Sequence, residues 1–298
     1  DQQEKNGFTL NLRGAMLLLS ELQEEEDSLV AKATEMFPPK ELQLKTKVKY
    51  IPFNIASRKQ IAERLMEKGW EPKHHTEKGN VIVNEETLSH IKMPEAQMFS
   101  RFFLLQKRTG MLKSWIKECH DDEKVRGRVM TLKTVTGRMA HNSPNMAQVP
   151  ASYSPYGKEF RSLWTISDPE KYNLIGTDAS GLELRCLAHY MRDKAYINEV
   201  VNGDVHTANM KMAGLTNRDQ AKTFIYAFLY GAGAAKIGKV VGGGSAQGRD
   251  LIERFLGNMP ALKRLRNQVT EAAREGSILG LDGRHLKIRS EHAALNTL

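Results

Sequence analysis

The segment Arg218-Asp-Gln-Ala-Lys222-Thr-Phe-Ile-Tyr226-Ala-Phe-Leu-Tyr230-Gly231 constrains the chain more than any other, because it spells a helix with two unlike faces. Arg218, Lys222, Tyr226 and Tyr230 recur at four-residue steps, and a glycine then interrupts the run. On an α-helix each such step turns only about 40° beyond a full circle, so the four side chains form a slowly drifting stripe roughly 18 Å long, about the reach of a nucleoside triphosphate. The cations suit phosphates, and the aromatics suit a sugar and a base. Taken alone, the pattern fits an amphipathic helix with snorkelling cations and core tyrosines better still.

The decisive context lies about forty residues upstream. Asn173-Leu-Ile-Gly-Thr-Asp178-Ala-Ser-Gly-Leu-Glu183-Leu-Arg185 predicts a short buried strand ending in a carboxylate and then a glycine-containing turn. A helix follows, with Leu184, Leu187, Ala188 and Met191 on its inner side. A carboxylate at a strand end is a common seat for magnesium, although aspartate is also a favoured helix N-cap. With Thr136-Gly137-Arg138 and Pro144-Asn145-Met-Ala-Gln148-Val-Pro150 further upstream, the chain resembles the family A DNA polymerases, and among them the replicative polymerases of T-seven-like podophages. The Asp178 block resembles the family's motif A and the Arg218 to Gly231 helix its motif B.

The resemblance implies an α+β, mostly helical fold of right-hand polymerase architecture, with thumb, partial palm and fingers. The thumb would be residues 1–118, the first part of the palm 119–190 and the fingers 191–295, with 296–298 opening a second palm segment. It implies DNA-directed DNA polymerase activity: transfer of a deoxynucleotide to a primer 3′ end, assisted by two magnesium ions. Asp178, Arg218 and Lys222 would be catalytic, with the Asp178 carboxylate and the Ala179 carbonyl as metal ligands. Glu183 would fill the space of a ribose 2′ hydroxyl, Arg218 and Lys222 would grip the β and γ phosphates, and His206 would add a donor. Tyr226 would lie against sugar and base; its hydroxyl, where many relatives carry phenylalanine, predicts tolerance of dideoxynucleotides. Tyr230 would stack near the templating base and gate entry with Glu183. Arg138, Asn145, Gln148, Arg161 and Asn296 match positions that touch primer-template DNA, and His292 stands where bacterial relatives carry arginine. For His206 a satisfied structural histidine, and for Arg161 a salt bridge, are the simpler readings.

A formal charge of +9 is consistent with a polyanionic partner, since cations placed near phosphate release condensed counterions. Cys119 and Cys186 lie in separate segments and spell neither a disulfide nor a zinc site, which points to a reducing cytoplasm. No apolar run approaches membrane-spanning length, so no membrane partner is expected. The family's proofreading domain precedes this region, and exonuclease activity is not expected. Only a short connector joins Phe37 to Phe53, where a thioredoxin-binding insertion would stand, so dependence on thioredoxin by that route is not expected either. Motif C, a His-Asp-Glu hairpin carrying the second metal-binding aspartate, would lie beyond Leu298, so a complementary fragment is expected, as in a split or truncated polymerase. The rival reading is a non-catalytic primer-template binding remnant. Retention of Asp178, Glu183, Arg218, Lys222 and Tyr226 together argues against it.

Along the chain, residues 8–36 predict one long helix ended by Pro38-Pro39, with Glu24-Glu25-Glu26-Asp27 as a solvated acidic face. A basic connector over residues 40–50 and a helix capped by Ser57 and closed at Gly69 follow. A second long helix spans about 94–118 and carries Gln106-Lys107-Arg108 toward either phosphate or solvent. Residues 125–164 are irregular, further helices open at Asp204 and span 247–256 and 260–275, and Gly242 to Ser245 is a flexible turn.

Overall fold

The computed structural model describes residues 2–44, 46–76, 78–288 and 294–298. The elements run α1 (Gln2–Asn6), β1 (Phe8–Leu10), α2 (Leu12–Met36), β2 (Lys40–Gln43), β3 (Val48–Ile51), α3 (Arg58–Glu67), α4 (Glu85–Ser89), α5 (Pro94–Lys117), β4 (Lys124–Val125), β5 (Arg128–Met130), β6 (Ala140–Asn142), α6 (Gly157–Ser162) and β7 (Trp164–Thr165). They continue through α7 (Leu182–Met191), α8 (Lys194–Asn202), α9 (Val205–Ala213), α10 (Arg218–Leu229), α11 (Ala234–Val240), α12 (Ser245–Asn258), α13 (Pro260–Ala273), β8 (Ser277–Leu279), β9 (His285–Lys287) and α14 (Ala294–Thr297). Two compact units result, one from residues 1–129 and 141–174, the other from 130–140 and 175–298.

In the first unit α2 starts at Leu12 rather than at residue 8. The Asn11 side chain accepts the Gly14 N–H at 2.9 Å and caps the helix, which frees Phe8–Leu10 to pair antiparallel with β4 and β7. Helices α2 and α5 pack around Leu22, Leu105, Leu112 and Trp115, and the Trp115 ring meets Phe160 and Trp164 edge-on at 5.4 and 4.8 Å. The acidic face of α2 is not simply solvated. Glu25 accepts from Arg101 Nε at 2.6 Å, from Arg101 Nη2 at 2.7 Å and from the Tyr156 hydroxyl at 2.9 Å. Arg101 draws the Glu25 carboxyl below its usual range against the opposing effect of burial. Arg108 is not a solvated charge: it is buried, donates to the Pro155 carbonyl at 3.2 Å and stands 5.7 Å from the Phe160 ring. The stretch read as a basic connector is the β2–β3 hairpin, with Leu42 opposite Lys49 and Glu41 opposite Tyr50.

The second unit is a mainly helical core from α7 to α14, to which the β8–β9 hairpin contributes Ile278 and Leu286. Its centre is aromatic: Phe255 meets Phe224 at 5.0 Å and 87°, and Phe228 at 5.7 Å and 77°. The inward positions expected on α7, namely Leu184, Leu187, Ala188 and Met191, are all buried. The strand expected over residues 173–178 does not form. Leu174 and Ile175 are 60% and 82% exposed, and no strand pairs with the segment among the described residues, so its backbone polar groups face solvent rather than a ladder.

The turn at Gly242 to Ser245 joins α11 and α12 in a tight corner. It folds α12 back on α11 so closely that a Cβ on Gly248 would lie 1.9 Å from the Ala234 carbonyl oxygen. Backbone has to move to admit it. Gly248→Ala is expected to cost about 1–3 kcal/mol, read as a lower midpoint of thermal unfolding with helical content retained at low temperature.

Candidate functional site

The site is built on α10. Asn217 caps it by accepting the Asp219 and Gln220 N–H groups at 2.9 and 3.0 Å. Gly231, at φ +72°, ends it: its N–H returns to Phe228 and that of Ala232 to Ala227. Ala221, Phe224, Ile225, Phe228 and Leu229 are buried on the rear of this helix. Because side chains advance by 100° per residue, that burial turns the intervening face outward. Arg218, Lys222 and Tyr226 accordingly line one cavity of about 660 Å³, whose wall they share with Asp178, Ser180, Gly181, Asp204 and His206 among others.

Arg218 is anchored within this wall. Its Nε and Nη2 groups donate to Asp204 Oδ2 and Oδ1 at 2.8 and 2.9 Å, a two-pronged carboxylate pair. Arg218 is the first cause holding the Asp204 carboxyl below its usual range, and Asp204 in turn raises the guanidinium. Asp204 also caps α9, accepting from the His206 and Thr207 N–H groups. The cap fixes the start of the helix that carries His206, whose ring stands 6.2 Å from that of Tyr226. Burial, and then the cations of Arg218 and Lys222, press the His206 imidazole below its ordinary pKa of 6.5.

The stripe drifts as it leaves the cavity. The Tyr230 hydroxyl donates to Glu183 Oε1 at 2.9 Å, so the two residues expected to gate entry touch directly. Arg138 joins them, with Nη2 3.8 Å from Glu183 Oε1 and its guanidinium 6.0 Å from the Tyr230 ring centre. A smaller cavity of about 220 Å³ is shared by Arg138, Glu183, Tyr230 and Asn296. Gln148 ends a short 3-10 turn that the Asn145 side chain caps at 3.1 Å, and Arg161 donates from Nε to the Pro150 carbonyl at 2.8 Å and joins no salt bridge among the described residues. These three belong to the first unit. Asp178 and Ala179 stand on the exposed segment before α7, and His292 lies outside the described residues.

Sequence reasoning missed Asp204 as part of the site. Its place before a helix marked it as a cap, and nothing in its spacing from Arg218 foretells a side-chain pair.

A model of DNA polymerase family A matches residues 21–296. The chain belongs to that family. This family A chain is 40% identical over 287 residues to the DNA-directed DNA polymerase of Escherichia phage T7, and to the same extent to that of Enterobacteria phage T3. Each match covers 85% of the chain but 41% of the relative's length. DNA polymerase I of Helicobacter pylori is 27% identical over 243 residues, covering 77% of the chain and 27% of that relative. Among solved structures, the polymerase domain of Pol1 from M. smegmatis, in complex with DNA primer-template and dNTP, matches with a TM-score of 0.82 at 17% identity. That match covers 99% of this chain and 54% of the other, and it establishes the expected α+β, mostly helical polymerase fold.

The depressed His206 has a measurable consequence. A histidine kept neutral in the fold is more readily protonated when unfolded, so its contribution to stability is lost as pH falls from its ordinary pKa of 6.5 toward the lower folded value. An NMR titration is expected to find His206 neutral at pH 7 and titrating below 6.5, and Lys222→Gln to move its pKa upward.

Proposed function

We propose that this chain is the nucleotide-binding part of a DNA-directed DNA polymerase, which adds deoxynucleotides to the 3′ end of a primer paired with a template. The observation that carries the reading is one cavity lined by Asp178, His206, Arg218, Lys222 and Tyr226, residues from three separate stretches of sequence. At about 660 Å³ it lies within the usual range of roughly 300–1,000 Å³ for small-ligand sites. Two cations and a half-buried tyrosine on one helix face match phosphates at one end and a sugar and base at the other.

The donor set fits magnesium, which is typically held by one or two carboxylates together with substrate phosphates. Asp178 offers an exposed carboxylate on the same wall as the two cations, and the Ala179 carbonyl stands next to it in the chain. When bound, a pair of such ions acidifies the attacking hydroxyl and neutralises the leaving pyrophosphate. The protein's own groups do the rest. Arg218 and Lys222 bind the β and γ phosphates and stabilise the charge that develops on the leaving group, and His206 adds a donor beside them. Tyr226 supports the sugar and base, while the Glu183–Tyr230 contact closes the space a 2′ hydroxyl would need. Arg138, Asn145, Gln148, Arg161 and Asn296 are proposed contacts to primer-template DNA, whose minor-groove acceptors are shared by correct pairs.

In this reading residues 1–118 act as thumb, 119–190 as the first part of the palm and 191–295 as fingers, with 296–298 opening the second palm segment. The second carboxylate would come from the family's His-Asp-Glu hairpin, and the setting is the cytoplasm of an infected bacterium.

Primer extension tests the proposal, run with this chain alone and with a polypeptide that carries the His-Asp-Glu palm segment. Extension is expected in the mixture and to vanish with Asp178→Asn. Lys222→Ala is expected to lower kcat/KM for deoxynucleotides by about 10²-fold. Binding of primer-template without extension in any mixture favours the non-catalytic alternative, and an Asp178→Asn mixture as active as the wild type sinks the mechanism. Tyr226→Phe is expected to discriminate more strongly against dideoxynucleotides, measured as the ratio of kcat/KM values for paired substrates.

A further inference from the structure

Asp204 is an acid placed among cations in a cavity proposed to receive polyphosphate, where an unbalanced carboxylate would repel the ligand. Its surroundings give it another task. Its two oxygens accept the Arg218 Nε and Nη2 groups, the Thr207 hydroxyl at 2.7 Å and the backbone N–H groups of His206 and Thr207 at 3.1 and 3.3 Å. The carboxylate is therefore tied to the first turn of α9 before it meets Arg218. An arginine side chain has many rotamers, and one at the first position of α10 has no helical turn before it to restrict them. The pair with Asp204 selects one setting and occupies one edge of the guanidinium fork, which leaves its remaining N–H groups for another acceptor.

We propose that Asp204 is a positioning residue for polyphosphate binding: it fixes the guanidinium of Arg218 with its free edge available to the ligand, and by capping α9 it places His206 in the same cavity. The inference rests on the proposed nucleotide site. Asp204 contacts no phosphate itself and acts through Arg218, so its loss weakens binding of the phosphates and leaves the recognition of sugar and base intact.

Isothermal titration of the whole chain with dATP in magnesium buffer, and separately with inorganic tripolyphosphate, tests this. Asp204→Asn keeps a residue that caps helices as well as aspartate, so thermal stability is expected to hold while the charged two-pronged pair is lost. The expected result is binding weakened about tenfold for both ligands. Arg218→Ala is expected to weaken both by at least as much, and Asp204→Asn in the Arg218→Ala background is expected to add nothing, because the interaction it served is already gone. Unchanged or tighter binding by Asp204→Asn, a loss for dATP alone, or full additivity of the two substitutions overturns the positioning role. A wild-type chain that binds neither ligand overturns the proposed nucleotide site and this inference with it, whereas wild-type binding with an indifferent Asp204→Asn overturns the inference alone.

Discussion

Burial of the rear face of α10 is the constraint on which the second unit depends. Phe224 and Ile225 are wholly enclosed, and Phe228 closes an aromatic triad with Phe224 and Phe255. Each large apolar side chain fully withdrawn from water contributes about 1.5–3 kcal/mol. Rotating the helix by one residue, or 100°, would forfeit several such terms at once. The outward face is thus fixed by what the inward face loses if it moves, and the contacts that Arg218 makes with Asp204 and Tyr230 with Glu183 then set the side chains on it. Asn217 and Gly231 set the length over which this holds, so Tyr230 falls at the end of the helix, where it reaches Glu183.

The electrostatics of the cavity follow from that placement. Arg218 and Lys222 concentrate positive charge at the amino-terminal end of α10, where the helix dipole adds to them. Burial, and then the charges of Arg218 and Lys222, lower the pKa of the His206 imidazole in the same wall. Asp204 offsets part of the concentration and gives Arg218 a fixed direction. At the other end of the stripe, Arg138, Glu183 and Tyr230 form a second charged cluster around a separate, smaller cavity.

Much of the helical framework was legible in advance because its signals are local. Ser57 marks a helix start by a group within one turn, and the stripes on α7 and α10 repeat at the helical period. The errors fell where pairing is remote. Phe8–Leu10 reads as helical until its strand partners, more than a hundred residues away, are present, and the run before Asp178 reads as a strand although none pairs with it among the described residues. Glu25 and Arg108 look like surface charges for the same reason, since their partners lie 76 and 47 residues along the chain.

The sequence by itself determined the family, the nucleotide-sized stripe and the identity of its four side chains, because residues on one helix are related by a fixed rotation that spacing alone encodes. Only the tertiary structure decided that Arg218 is held by Asp204, that Glu183 touches Tyr230, and that Asp178, His206 and Lys222 border one cavity. Those relations join separate elements, and their geometry is set by how buried faces pack, a property that no periodicity within a segment records.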